Sequence, residues 1–489
     1  MNARYAAFPS PLCSSTNRSV MTSSRALAEL RPRLAQAACA LAIAAQALLF
    51  QPAPAMAQSR SIPVVRDAEI EALVRDYARP IFKAAGLTKS GIDIILVNDP
   101  AFNAFVAGRR MFINTGALVT AETPNEIIGV IAHEAGHLAG GHQDRLREQI
   151  ARAQTMAVVA SLLGIGATVA GAATGTGGLA QAGAGVAMGG TEVARRGLLG
   201  YQRTEEATAD SAALKYLDQT GQSAHGMLKT FERFASTLAL TGARVDPYQV
   251  SHPMPRERIA NLATRAQASP HFGKQDSPAL QQRHDMMRAK IAAFTQGQGA
   301  TQRMFRKDPR GLPALYGDAI STFLYGNPRT ALVKIDALLK SDPQNPYFLE
   351  LRADTLMKAN KPAEAAETYA RAVKLDPAKS GLLQVGYGQA LLAIGKPDML
   401  KRAAEEIAKG VQRDRENPDA YMMLAQAYGR MGDIAEAELA TAEGHYYSGK
   451  YLDAKIFAAR AQQKLKPGSP GWVRAQDIIN YREPGKKRN

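Results

Sequence analysis

Five residues, His133-Glu134-Ala135-Gly136-His137, carry the most specific chemistry in the chain. An α-helix turns about 100° per residue, so side chains four apart lie roughly 40° apart on one face. Two imidazoles at that spacing can grip one zinc ion per chain. The glutamate projecting beside them can take a proton from an attacking water. The helix start is also legible. Thr123-Pro124-Asn125-Glu126 puts threonine at the N-cap, proline at the first helical position and glutamate at the third, a capping-box pattern. Ile127, Ile128, Val130 and Ile131 then supply apolar residues just before the motif.

A third protein ligand is needed. His142 nearly completes the H-E-x-x-H-x-x-G-x-x-H pattern, and Gly140 fits it, but the ligand slot holds Gln143. On a continuous helix His142 stands about 180° from His133 and points away. It reads as a structural or surface residue. No Asp or Glu lies between Glu148 and Glu192, which excludes a carboxylate soon after the first helix. A second helix over residues 204–217 carries Glu205, Glu206 and Asp210. Glu206 and Asp210 share a face. Glu206 can ligate zinc while Asp210 accepts the far N–H of a ligating histidine and fixes its tautomer. Glu205 competes as the ligand, and a solvated acidic face is the plain alternative. His225, His271, His284 and His445 lack partners at ligand spacing and read as surface or structural.

The elements that must position these residues come next. Residues 66–87 read as a helix, with Ile70, Leu73, Val74, Tyr77 and Ile81 at helical spacing. The β-branched run 92–97 reads as a strand. Residues 102–107 and 111–115 flank Gly108-Arg109-Arg110 as a hairpin. The edge of the 112–114 strand is a candidate for holding substrate as an added strand. Residues 153–191 contain no charge and ten glycines. They read as a helix and mobile loop covering the cleft, with peripheral membrane contact or a membrane span as alternatives.

The C-terminal region repeats. Ala319, Ala331, Ile335, Leu338 and Pro343 recur 34 positions later as Ala353, Ala365, Tyr369, Ala372 and Pro377. Ala442, Ala454, Ala458 and Ala461 keep the same offsets. Gly326, Gly432 and Gly449 fall where the first helix of a unit would turn. This period resembles tetratricopeptide repeats, in four to five helix pairs, with an irregular unit near 380–416.

At the N-terminus, Arg25, Arg31 and Arg33 precede an apolar run over 34–50 and the triplet Ala55-Met56-Ala57. That is a secretory signal peptide, cleaved after Ala57, with translation from Met1 or Met21; an uncleaved anchor is the alternative. Both cysteines, Cys13 and Cys39, lie in the removed segment. The mature chain is then thiol-free, and its metal site must be His/Glu. Net charge falls from +16 to +12 over 432 residues and gives no reason to invoke nucleic acid. The domains read as 58–285 for the metal-binding domain, 286–307 for a linker, 308–470 for the repeats and 471–489 for a tail.

The zinc motif followed much later by Glu206-Ala207-Thr208-Ala209-Asp210 resembles the gluzincin peptidases related to HtpX and the CAAX prenyl endopeptidase. With a signal peptide and C-terminal repeats, nearly the whole mature chain is similar to periplasmic members of that group. Asn103-Ala104-Phe105 and Phe112-Ile113-Asn114-Thr115-Gly116 look like the strands that precede the family's zinc helix. The resemblance implies an α+β, mostly α fold, with a small sheet in the peptidase domain and an α-solenoid after it. It implies zinc endoproteolysis with His133, His137 and Glu206 as ligands and Glu134 as general base. It also implies chaperone-like work on unfolded or stalled outer-membrane β-barrel proteins, with the assembly machinery bound by the repeats. His252-Pro253, followed by Arg258-Ile259, matches a His-Pro stretch of the family. His252 is a candidate fourth ligand that would hold the enzyme latent, or a residue that orders a turn. Arg258 is a candidate oxyanion stabiliser or a structural ion-pair partner. The rival reading is a non-proteolytic scaffold with a structural or blocked zinc site.

Overall fold

The computed structural model describes residues 62–174, 177–241, 252 and 256–483. The expected signal peptide and its cleavage after Ala57 lie outside these residues. A short strand β1 (Val64–Val65) leads into helix α1 (Ala68–Ala84), whose N-cap Asp67 accepts from the Ile70 amide at 2.9 Å. Strand β2 (Asp93–Val97) and the hairpin β3 (Ala104–Ala107) and β4 (Arg110–Asn114) follow. The sheet order is β1-β2-β4-β3, with β2 parallel to β4 and the other pairs antiparallel. The hairpin register pairs Ala104 with Ile113 and Ala107 with Arg110. The 112–114 segment is therefore central, because β2 occupies its other side, and offers no edge for an added strand. The free edge on that side of the sheet is β3.

The sequence then turns through α2 (Thr115–Thr120) into α3 (Pro124–Gly140), the helix that carries the metal motif. Every residue of α3 from Pro124 to His137 is buried. It packs against α1, against β3, and against α5 (Gly177–Gln219) and α6 (His225–Thr241). Its start differs from a capping box. The Thr123 side chain makes no cap bond, and the Glu126 carboxylate accepts the Glu122 amide instead, at 3.1 Å. Glu126 is fully buried and pairs with Arg233 at 2.7 Å and Lys229 at 3.1 Å, which fixes its direction. Asn125 ties the same turn to the start of α6: its side chain donates to Ser223 O and accepts from the Gly226 amide, both at 2.7 Å.

Helix α4 (His142–Thr174) and the first part of α5 form a long hairpin out of this core. This is the uncharged segment 153–191. It is helical on both described arms, and the large apolar side chains described in it are exposed rather than laid over the site. Among the described residues nothing else in the domain packs against these apolar faces, so the described arms form a projecting helical pair and not the expected cover over the site.

Residues 286–307, read above as a linker, are also helical. Helix α8 (Pro278–Thr295) follows α7 (Arg256–Gln267), and α9 (Ala300–Met304) caps it. Lys290 of α8 is buried against Asp67 at 2.7 Å and Glu69 at 3.2 Å, and the Tyr316 hydroxyl donates to Glu69 at 2.8 Å. A linker cannot bury a lysine paired in this way; α8 is a packed joint between the two regions. Arg66 to Asp414 at 2.7 Å and Arg110 to Glu416 at 2.6 Å join the same regions at the surface.

The repeats are five helix pairs: Leu312–Tyr325 with Pro328–Ser341, Pro346–Lys358 with Pro362–Leu375, Gly381–Ile394 with Pro397–Arg413, Pro418–Met431 with Ile434–Tyr447, and Tyr451–Lys464 with Pro470–Asn480. Ala319, Ala331, Ala353, Ala365, Ala372, Ala442, Ala454, Ala458 and Ala461 are all fully buried, so the repeated small residues are where successive helices touch. The irregular third pair has a 17-residue second helix, where the second helices of the pairs before it have 14. Residues 470–480 extend the stack rather than forming a tail.

Candidate metal centre

His133 and His137 emerge from α3 toward α5, which delivers Glu206 and Asp210. The approach of the two helices depends on Gly136. A Cβ there would meet Ala209 O at 2.8 Å and Ala209 Cα at 3.0 Å. The glycine inside the motif therefore lets the α5 backbone sit on α3, one residue short of Asp210 and three past Glu206.

Four buried side chains converge at this contact: His133, His137, Glu206 and His252. His133 Nε2 lies 3.1 Å from His137 Nε2, 3.3 Å from His252 Nδ1 and 3.3 Å from Glu206 Oε2. His137 Nε2 lies 3.3 Å from Glu206 Oε1, and His252 Nδ1 lies 3.1 Å from the same oxygen. Zinc–nitrogen bonds of about 2.05 Å at tetrahedral angles would separate ligand atoms by about 3.3 Å. The observed spacings are close to that separation, with Glu206 turning Oε2 to His133 and Oε1 to His137 and His252. Three imidazoles and one carboxylate are also a donor set suited to zinc. Zinc fits this site.

The electrostatics agree with a cation site. Burial alone would raise the Glu206 carboxyl, but His133, His137 and His252 together hold it far below the ordinary carboxylate range. Burial opposes charging of His133, yet Asp210 and Glu206 outweigh it and raise the ring to about 9. Burial drives His137 the other way, down to about 3, reinforced by its neighbour His133. The contrast follows from Asp210, whose Oδ1 lies 3.0 Å from His133 Nδ1. That contact puts a carboxylate at the nitrogen of His133 that faces away from the cluster.

Glu134 is fully buried beside the cluster. Neither of its oxygens has a hydrogen-bond partner, and its nearest basic neighbour is His252 Nε2, 3.3 Å from Oε1. Burial, only partly offset by His252 and His133, pushes its carboxyl up. A buried carboxylate with free lone pairs next to a metal site is placed to move protons.

Arg258 is buried and committed to the two acids. Its Nε donates to Asp210 Oδ2 at 2.5 Å, Nη2 to Asp210 Oδ1 at 2.8 Å, and Nη1 pairs with Glu206 Oε2 at 2.8 Å. The guanidinium also lies over the Phe231 ring, 5.1 Å from its centre. It clamps the carboxylates behind the histidines.

His142 is not where a straight helix would put it. Its Nδ1 lies 2.9 Å from His137 Nδ1, and its Nε2 lies 2.9 Å from Glu205 Oε2. The reason is Gly141, which ends α3 in the left-handed region at φ 64° and swings the chain back so that the His142 ring lies over Gly140. Consecutive glycines before His142 are the sequence signal for that break. Glu205, the rival ligand, instead faces His142 and Arg145. The result is a chain from Glu205 through His142 to the far nitrogen of His137. Contacts of this kind orient metal-ligating histidines, and losing one costs about 10–100-fold in metal affinity. We expect His142→Ala to weaken zinc binding by about that factor in a chelator-competition titration, with His142→Asn recovering part of it. An unchanged affinity would show the contact to be incidental. Of the other histidines, His284 is buried and structural, bonded to Tyr77 Oη at 3.0 Å and Ala121 O at 2.9 Å.

Residues 65–266 match the family description "Peptidase family M48", and residues 347–379 and 418–440 match "Tetratricopeptide repeat". The beta-barrel assembly-enhancing protease of Escherichia coli (strain K12) is 22% identical over 421 residues, covering 84% of this chain and 82% of that protein. The protein of that name from Yersinia pestis is 23% identical over 419 residues, with the same coverage. The region matched by the peptidase family contains α3, α5 and His252, and so every residue of the centre. Residues 65–266 are thus a peptidase family M48 domain, joined to tetratricopeptide repeats in a chain similar over most of its length to beta-barrel assembly-enhancing proteases.

Proposed function

We propose that this peptidase is a zinc-dependent metalloendopeptidase of the periplasm that acts on outer-membrane β-barrel proteins, assisting their assembly and degrading stalled ones. The observation that carries the reading is the convergence of His133, His137, Glu206 and His252, whose ligand atoms lie within 4.8 Å of one another, with the unbonded carboxylate of Glu134 beside them. The client class rests on the names of the relatives.

His133, His137 and Glu206 would hold the metal. Zinc held there would supply Lewis acidity toward the scissile carbonyl and the attacking water. Glu134 accepts the proton of the attacking water and returns it to the leaving amine. Asp210 and the His142–Glu205 pair hold the two histidines in their ligating tautomers, and Arg258 holds Asp210 and Glu206 in place. The edge of β3 is available to align an extended substrate segment. The repeats offer a concave surface for the assembly machinery or its clients.

His252 favours a latent resting form of the same enzyme. It occupies the fourth corner of the ligand set and also touches the base, so substrate and His252 compete for one position. The test is metal analysis combined with proteolysis. The mature protein should carry one zinc per chain and cleave a urea-unfolded β-barrel protein. Chelation should stop cleavage, zinc should restore it, and Glu206→Ala should lose the metal. Cleavage that persists in metal-free protein would sink the reading.

A further inference from the structure

We propose that the α4–α5 hairpin inserts into a lipid bilayer bearing anionic headgroups and holds the metal centre close to the membrane surface. The apolar part of α4, residues 153–174, is about 33 Å long at about 1.5 Å per residue, close to the roughly 30 Å of a bilayer's hydrocarbon. α4 contains a stretch, His142–Thr168, long and apolar enough to cross a membrane, and only 6% of its apolar window is buried. Met156, Val158, Val159, Leu162, Leu163 and Ile165 are each at least 50% exposed. Side chains of that size left bare on one element mark a surface that something covers.

One further observation allows lipid and another selects it. First, the hydroxyls along this arm are satisfied within the helix. Thr155 donates to Ala151 O at 2.9 Å, Ser161 to Ala157 O at 2.7 Å, Thr168 to Gly164 O at 2.7 Å and Thr174 to Ala170 O at 2.8 Å. Hydrocarbon demands that polar groups be bonded internally, and these groups meet that demand; exposed hydroxyls elsewhere, such as Thr264 to Ala260 O at 3.0 Å, make the same bond, so the choice of lipid rests on the charge. Second, charge returns abruptly at the base of the hairpin, and it is basic. Arg145, Arg147, Arg152, Arg195 and Arg196 outnumber Asp144, Glu148 and Glu192. Arg152, Arg195 and Arg196 are exposed, at 70%, 65% and 76%, and their only acidic neighbours in these pairs are the exposed Glu148 and Glu192 of the same helices, the last shared by two arginines. Arginines where an apolar helix meets water are suited to lipid phosphates.

Both arms run directly into the site. α4 begins at His142, and α5 carries Glu205 and Glu206 ten residues beyond the arginine pair, about 15 Å along the helix. An inserted hairpin would therefore fix the centre about that far above the headgroups, where segments of unassembled membrane proteins gather.

The test is flotation of the full mature chain with phosphatidylcholine vesicles, with and without phosphatidylglycerol. Wild type should float, more strongly with phosphatidylglycerol. Glu134→Gln should float equally, which separates this proposal from the peptidase reading. Leu162→Glu with Leu163→Glu should lower vesicle partitioning by about a hundredfold, as charge in hydrocarbon requires, and leave zinc content unchanged. Arg195→Glu with Arg196→Glu should remove the preference for phosphatidylglycerol. A Leu163→Cys variant, labelled in the otherwise thiol-free mature chain, should show a blue-shifted fluorophore on adding vesicles. Wild type that stays unbound with both vesicles, or a double-glutamate variant that floats as well as wild type, overturns the proposal. Self-association abolished by the glutamates without flotation would assign the face to a second copy of the chain.

Discussion

Glu134→Gln should bind zinc as the wild type does and hydrolyse peptide bonds about a thousandfold more slowly, within the range spanned by general acid–base catalysis. The substitution keeps the side chain's shape and removes its ability to take a proton. It should fold normally, because neither Glu134 oxygen has a hydrogen-bond partner to lose. Its contact with His252 Nε2 at 3.3 Å can persist with the amide oxygen as acceptor. The measurement is single-turnover cleavage of an unfolded β-barrel protein beside metal analysis of the same sample. Full zinc with no cleavage supports Glu134 as the base. Cleavage within a few-fold of wild type would assign the proton transfers to another group and favour a different chemistry for the centre.

The second large effect should be a gain. His252→Ala removes the fourth corner of the cluster and leaves His133, His137 and Glu206 to hold the metal. If His252 keeps about nine molecules in ten closed, its removal raises turnover about tenfold. His252→Ala combined with Glu134→Gln should be silent, because opening the site cannot replace the base. Turnover that is unchanged or lower in His252→Ala, at one zinc per chain, would show that His252 does not restrain the enzyme. If the variant cleaves no unfolded barrel protein at all, the scaffold reading gains.

Parts of the centre were legible because their information is local. The spacing of His133, Glu134 and His137 is a property of one helix, and so is the pairing of Glu206 with Asp210 on one face. The repeat alanines were legible for a similar reason: each must fit a fixed crossing between neighbouring helices. The errors came where a local rule was extended past a break. His142 was set on the far side of α3 by continuing the helix through Gly141, yet the left-handed residue returns it to His137. The capping box failed because the buried Glu126 answers to Arg233 and Lys229 on another helix. The free edge was assigned to the wrong hairpin strand because the parallel pairing of β2 with β4 cannot be read from the hairpin.

The sequence by itself put His133 with His137 and Glu206 with Asp210 on shared helix faces, and it determined the repeat architecture and the uncharged span. Each is written in residue types at short, regular intervals, which helical periodicity converts directly into a shared face. Only the tertiary structure decided which groups meet. His252 reaches His133 across 119 residues of chain, and Arg258 reaches Asp210 across 48. Among the described residues no other element covers the hairpin, and that too is a relation between parts. Such contacts depend on how α3, α5 and α7 pack, and that packing is set by close approaches such as Gly136 on Ala209 rather than by the spacing of any one segment.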